Sequence, residues 1–246
     1  MHGKAETTAK AEPAYRLKRS VRGPGRPPRD LSADRTILDV AELLFAEKGY
    51  NGTSMREMAE KASVNQGLIT YYFGTKEGLF EAVFKRRGLE LSQKRNALLD
   101  ALLAQPSPPS VSDLIRAFVQ PQFDLKKSGQ AGMAFVRIQA RLHNEPEELA
   151  FRLRREVYDS SAKRYIHALC EVLPHIPAAD VHHRMMFLVG TYLYMLADVS
   201  RLDDLSDGRF NTADSEEVLE RMIGFLTAGI SAPPTPLARE ETNKPT

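Results

Sequence analysis

Residues 53–80 read TSMREMAEKASVNQGLITYYFGTKEGLF. Ser54-Met55-Arg56-Glu57 has the S-x-x-E spacing of a capping box, so a helix is expected to start at Met55. Met58 falls one turn after Met55, and Ala59 and Ala62 extend the apolar side. Ser63-Val64-Asn65 interrupts the period, and Asn65 is a good N-cap for a second helix over Gln66–Phe73. Gly74-Thr75 breaks again, and another helix begins near Lys76. Two helices of about eight residues with a three- or four-residue turn between them form a helix-turn-helix, which lays its second helix in the DNA major groove.

The same stretch resembles the DNA-binding domain of the TetR (tetracycline repressor) family. The resemblance rests on Phe45-Ala46-Glu47-Lys48-Gly49-Tyr50, Thr53-Ser54, Met58-Ala59, Val64-Asn65-Gln66-Gly67, the ITYYF run ending at Phe73, and Lys76-Glu77-Gly78-Leu79-Phe80. It covers roughly residues 33–84; beyond 85 only the size and helical layout are similar.

Working outward, Ile37, Val40, Ala41, Leu44 and Phe45 form the stripe of a first helix over about Ser32–Lys48, ended by Gly49. A fourth helix is expected from Lys76 to about Leu103, and QPSPPS at 105–110 breaks the chain. Further helices are expected over 111–127, kinked at Pro121, and 133–142. One long helix should run from 147 to about 173, followed by helices over 178–202 and from Ser215. No alternating β pattern occurs, so the class is all-α. The expected domains are a basic arm without structure of its own (1–30), a helix-turn-helix domain (31–84), a ligand-binding and dimerisation domain (85–232) and a mobile tail (233–246).

Charge is unevenly spread. The chain of 246 residues carries a net +2, yet residues 1–30 hold eight Lys/Arg against three Asp/Glu. A basic arm on a mildly acidic body is suited to a polyanion. Within the arm, Arg22-Gly23-Pro24-Gly25-Arg26-Pro27-Pro28-Arg29 is similar to an AT-hook. Its prolines hold the chain extended, and Arg22 and Arg26 suit the negative potential of a narrow minor groove. A solvated linker is the competing reading. Residues 31–76 hold five Lys/Arg against six Asp/Glu, so the head itself is not basic.

On the second helix of the motif, Gln66 is the first long side chain and can pair bidentately with adenine. Gly67 permits close approach, and Thr70, one turn on, can offer a hydroxyl or touch a thymine methyl. The resemblance implies phosphate contacts for Tyr71 and Tyr72. Thr53, Ser54 and Lys76 are further phosphate candidates, the first two at a helix N-terminus. Many family members carry an aromatic where this chain has Thr70, so base preference does not transfer.

The resemblance also implies a homodimer on a pseudo-palindromic operator and a small-molecule effector bound in the body. Leu188, Tyr192 and Leu196 on one helix, with Leu219, Met222, Ile223 and Leu226 on the last, are the expected dimer seam; Met185, Val189 and Val199 extend it. Candidate pocket residues are Phe118, Phe123, Met133, Phe135, Arg137, Tyr158, Tyr165 and Met186, with Ile138, Gln139, Arg141, His143, His167, Leu169 and Asp198 as further candidates. Their aromatic and methionine content suits an apolar effector, fatty-acyl or aromatic. For each of these residues plain core is the rival reading.

No HExxH, GxSxG, P-loop or GxGxxG is present, and Cys170 is the single cysteine. Catalysis, a metal site and a cofactor are therefore not expected. The apolar runs are too short to span a bilayer, and a cytoplasmic location fits the cysteine usage. The alternative to a ligand-responsive repressor is an effector-independent accessory or architectural DNA-binding protein.

Overall fold

In the computed structural model, residues 31–197, 201–210 and 215–234 are described. The arm, including Arg22 and Arg26, the tail beyond 234, and Asp198 and Val199 lie outside the described residues. So does the side chain of His143.

The described residues form eleven α-helices and no strand. They are α1 (Leu31–Lys48), α2 (Met55–Lys61), α3 (Gln66–Phe73), α4 (Lys76–Leu103), α5 (Val111–Lys127), α6 (Gln130–Arg141), α7 (Glu147–Val157), α8 (Asp159–Val172), α9 (Ala178–Ala197), α10 (Arg201–Leu205) and α11 (Ser215–Ser231). A 3₁₀ turn, Leu142–Asn144, joins α6 to α7.

The caps account for the starts. The Ser54 hydroxyl accepts the Glu57 N–H at 3.1 Å, Asn65 Oδ1 accepts the Leu68 N–H at 2.8 Å, and the Thr75 hydroxyl accepts the Gly78 N–H at 3.1 Å. The expected capping box at Ser54 is only half made, because the Glu57 carboxylate turns to Lys48 instead. A full reciprocal box occurs at Ser110 and Asp113. Asp113 is held below the usual carboxylate range by the Ser110 hydroxyl and N–H.

One expectation is corrected. The single long helix over 147–173 is two, α7 and α8, meeting at Tyr158 with φ −116° and ψ −26°. The Val157 carbonyl accepts the Ser92 hydroxyl at 2.6 Å, and the Tyr158 carbonyl accepts the Ser161 hydroxyl at 3.1 Å. Side-chain hydroxyls thus compete with the helical ladder at this joint. Pro121, by contrast, stays inside a continuous α5.

Two apolar cores organise the fold. One joins α1–α3 and the first half of α4 to α6 and α7: Ile37, Phe45, Met58, Ile69, Phe80 and Phe84 pack with Phe135, Leu149 and Leu153. The Phe45 and Phe80 rings meet edge-on at 4.9 Å, and Phe84 lies 5.4 Å from Phe135. The other joins the end of α4 to α5, α8, α9 and α11 around Phe118, Phe123, Tyr165, Leu188, Leu196 and Leu226. The head boundary expected at 84 falls inside α4, and the core there runs on into α6 and α7.

Salt links clamp the same joint. Arg152 bridges Glu77 at 2.6 Å and also pairs with Glu81. Lys85 pairs with Glu156 at 2.7 Å. That hydrogen bond raises the lysine and lowers the carboxylate from their ordinary ranges. At the α6–α7 turn, Arg141 donates to the Glu47 carbonyl at 2.9 Å, and Glu145 Oε1 accepts the Tyr50 backbone N–H at 3.1 Å.

Candidate functional site

The α2–α3 unit presents one polar face. Gln66, Gly67, Thr70 and Tyr71 are exposed along α3, while Ile69 is fully buried and Leu68, Tyr72 and Phe73 are half-buried. The spacing 66, 70 and 67, 71 places the exposed four on adjacent strips of one helix side, as the i, i+4 rule requires. The Tyr71 and Tyr72 rings meet edge-on at 5.3 Å. Tyr72 thus extends from the exposed strip toward Phe73, 6.1 Å away. The turn between α2 and α3 runs through Ser63 at φ 55°, a left-handed conformation that sets the angle between the two helices.

Two expected phosphate contacts are placed differently. Thr53 is buried, and its hydroxyl donates to the Tyr50 carbonyl at 2.9 Å. The Lys76 ammonium donates to the carbonyls of Tyr50 at 3.0 Å and Thr53 at 3.2 Å and sits 4.3 Å above the Tyr50 ring. These contacts anchor the loop before α2 to the start of α4. The reason is the orphan carbonyls of that loop, which need donors. Ser54 remains exposed at the head of α2.

In the body, the pocket candidates are not brought together. Phe118, Phe123 and Tyr165 lie in one core; Phe135 lies in the other, with Tyr158 packed against it. Met133 is half-buried, Arg137 is exposed and Met186 is 68 % exposed, so the last two line no interior site in this chain. Arg137 and Met186 fail because each falls on the outward strip of an amphipathic helix.

The dimer expectation is corrected more sharply. Leu188, Tyr192, Leu196, Leu219, Met222, Ile223 and Leu226 are all buried within the single chain. They hold α9 and α11 against α5 and α8. The apolar residues left outside on these helices are Met186, Phe187 and Tyr194 on α9 and Phe225 on α11. Gly190 on α9 and Gly224 and Gly229 on α11 have open space where a Cβ would be.

Between the two cores lies a buried polar layer. Gln122 on α5 donates to Gln139 on α6, and Gln139 Nε2 donates to the Tyr158 hydroxyl at 2.6 Å. Tyr158 sits at the α7–α8 joint, and burial pushes its hydroxyl well above the usual phenol range. Arg95 on α4 is 1 % exposed. Its Nε donates to the Phe118 carbonyl at 2.8 Å, and its Nη2 donates to the Tyr192 hydroxyl at 3.3 Å. Its guanidinium stacks 3.8 Å from the centre of the Phe118 ring. The layer was hidden in the sequence: Arg95 falls in a charged run, KRRGLELSQKRN, that reads as a solvated helix face.

Burying an ion costs several kcal/mol even after relaxation. A desolvated cation–π contact returns about 2 kcal/mol, and a charged hydrogen bond about 1.5–3 kcal/mol. Among the described residues no carboxylate pairs with Arg95. Gln122 Oε1 is likewise buried without a donor.

Among the described residues, no cluster of His, Cys, Asp and Glu could hold a metal, and no helix is long and apolar enough to cross a membrane. A helix-turn-helix head with an exposed polar strip on α3, carried on a helical body, defines a DNA-binding regulator of transcription.

Residues 37–83 match the model of the bacterial regulatory proteins, tetR family, and residues 116–229 match the tetracyclin repressor-like C-terminal domain. The chain belongs to the TetR family of transcriptional regulators. Among curated relatives, the transcriptional regulator BetI of Paraburkholderia phymatum is 27 % identical over 146 residues, covering 58 % of this chain and 68 % of that protein. The probable regulator YttP of Bacillus subtilis is 47 % identical over 51 residues, 21 % of this chain and 25 % of that one. The chain thus spans two thirds of the first and a quarter of the second. These relatives are transcriptional regulators, not enzymes.

Solved structures share the fold. A TetR-family regulator from Bordetella parapertussis superposes with a TM-score of 0.59 at 16 % identity, over 78 % of this chain and 93 % of that one. FadR from Bacillus subtilis in complex with stearoyl-CoA gives 0.53 at 20 % identity, over 79 % and 98 %.

Proposed function

We propose that the chain is a homodimeric repressor that is released from a two-half-site operator by a small apolar effector bound in the body. The single observation that carries the reading is the joint between head and body. The α6–α7 turn holds the head at the Glu47 carbonyl and the Tyr50 N–H, and the same helices supply Gln139 and Tyr158 to the interior polar layer. A guest that displaces α6 or the α7–α8 joint must therefore move the head.

Gln66, Gly67, Thr70 and Tyr71 read the major groove, with Ser54 and Tyr72 on the flanking phosphates. Each head covers only a few base pairs, so two heads related by a two-fold axis are needed. The seam that supplies the axis is the outer strip of α9 and α11, Phe187, Gly190, Tyr194, Gly224 and Phe225. The glycines let the helices approach closely, and the exposed rings supply the apolar area. Half-sites on B-DNA lie about 34 Å apart, so a small pivot of each head breaks simultaneous docking. The effector need only bind the non-docking arrangement more tightly. That the structural neighbour FadR from Bacillus subtilis was solved in complex with stearoyl-CoA supports an acyl or other apolar guest. Action in the cytoplasm, where operator DNA is found, belongs to the same reading.

The test is enrichment of a random duplex pool on the full chain, followed by titration of the enriched duplex with apolar small molecules. Release of DNA by one of them, with the chain still folded, is expected. Tight binding that no such molecule alters would favour an effector-independent accessory protein.

A further inference from the structure

We propose that Lys76 is a positioning residue for base reading: it staples the chain entering α2 to the chain leaving α3 and does not itself hold DNA. The inference rests on the reading above that α3 docks in the major groove. Lys76 is the first residue of α4, three positions after α3 ends at Phe73. Its ammonium reaches back 26 and 23 residues, to the carbonyls of Tyr50 at 3.0 Å and Thr53 at 3.2 Å. The two helices of the motif, α2 and α3, lie inside the loop of chain that these two hydrogen bonds close.

A lysine ammonium has three N–H donors and no acceptor. Two are engaged on main-chain carbonyls, and the charge lies 4.3 Å from the centre of the Tyr50 ring. The side chain is half-buried among these partners, whereas Gln66, Gly67, Thr70 and Tyr71 stand exposed on α3. The Thr53 hydroxyl donates to the same Tyr50 carbonyl at 2.9 Å, so two side chains converge on one acceptor.

Tyr50 is the fixed post of this staple. Its ring stacks on Phe45 at 6.3 Å and meets Phe80 edge-on at 5.4 Å, and its N–H is accepted by Glu145 of the body. Only Gly74 and Thr75 separate α3 from α4, so a displaced Lys76 displaces the end of α3. Side chains that read base edges must be held to within about 0.5 Å. Without the staple, Met58 and Ile69 still bury themselves in the core, so the fold survives while the placement of the α3 strip loosens. Base-edge contacts carry sequence information, and phosphate contacts carry sequence-independent affinity. Loss of Lys76 therefore removes discrimination between sequences and spares non-specific attraction. A lysine that held a phosphate would do the reverse: its loss weakens binding uniformly across sequences and lowers the salt slope by about one.

The experiment measures the full chain, as wild type, K76M and T53V, on the duplex enriched from a random pool and on a scrambled duplex of the same length. Fluorescence anisotropy over a salt series gives affinities and slopes, with melting curves in parallel. Expected is at least a tenfold loss of affinity for the enriched duplex in K76M and at least threefold in T53V. Affinity for the scrambled duplex and its salt slope should stay at the wild-type values in both. A uniform loss on both duplexes in K76M, with the slope lowered by about one, overturns the proposal in favour of a direct phosphate contact. So does full retention of the preference for the enriched duplex in either variant. T53V removes no charge and is nearly isosteric, so it decides the matter even if K76M does not fold. A wild type that binds both duplexes equally would instead bring down the major-groove reading on which the proposal rests; a wild type that discriminates, with variants that do so equally well, brings down this inference alone.

Discussion

The Glu145 carboxylate on the α6–α7 turn accepts the backbone N–H of Tyr50, at the end of α1, across 3.1 Å. A residue of the body thereby satisfies a backbone donor of the head 95 positions away. The contact needs only an acceptor, not a charge. E145Q should therefore keep it and E145A should lose it. Leaving the part-buried N–H unsatisfied costs about 1–3 kcal/mol. Urea melts read by circular dichroism test this; an equal loss for both variants would show that the hydrogen bond is not what the side chain contributes.

The exposed strip of α3 separates DNA contact from folding. T70A and Q66A should leave the melting temperature unchanged. Each should weaken operator binding by about 1–3 kcal/mol, the scale of a base-edge contact. I69A, one residue away but fully buried, should instead cost about 2–5 kcal/mol of stability. Fluorescence anisotropy with labelled duplex, paired with melting curves, distinguishes the two behaviours.

Two residues adjacent on α9 should respond in opposite ways. Phe187 is 67 % exposed and Leu188 is fully buried. F187D, or F225D on α11, should yield a folded monomer by light scattering and near-native helicity. L188D should unfold the chain, because it places a charge in the core. A dimer that survives both exposed substitutions would place the seam elsewhere.

Acid should loosen the joints before the cores. Glu156 and Glu220 are held below their ordinary 4.5 by hydrogen bonds to Lys85 and Arg116, and Asp113 is held below 3.8 by Ser110. A lowered folded pKa gives stability that is present above the unfolded value and is lost as pH falls through the folded one. The melting temperature should therefore be flat from pH 7 to about 5 and decline below the unfolded carboxylate range, near pH 4. All three groups are largely solvent-exposed, so added salt should shrink the effect.

The arm is tested without reference to its structure. The head carries no excess of basic residues, whereas residues 1–30 carry eight Lys/Arg. Removing residues 1–29 should weaken operator binding and flatten the slope of log affinity against log salt, since fewer counterions are released. Equal affinity and equal slope for the shortened chain would leave the arm no part in binding.

Much of the fold was legible because local signals agreed. Ser54, Asn65 and Thr75 announce three helix starts, and each cap hydrogen bond forms. The α7–α8 break was not legible, since it depends on Ser92 reaching the Val157 carbonyl from 65 residues away. The residues expected at the dimer seam lie in the chain's own core for a similar reason. Periodicity identifies an apolar stripe on α9 but does not say whether α5 or a second copy covers it. Leu188 and Tyr192 turned out to face the chain's own core, leaving Phe187 and Tyr194 outside. Arg95 was missed because burial of a charged residue leaves no trace in composition; only the packing of Phe118 and Tyr192 around it reveals the layer.

The central claim is that two chains, joined through α9 and α11, read two half-sites through α3. The most direct measurement is hydroxyl-radical footprinting of the duplex enriched from a random pool, with the bound stoichiometry determined on the same complex. Two protected half-sites whose centres lie about 34 Å or a multiple apart, with an even number of chains bound and protection lost in F225D, are expected. A single protected half-site with one chain bound, at an affinity indifferent to F225D, would contradict the account.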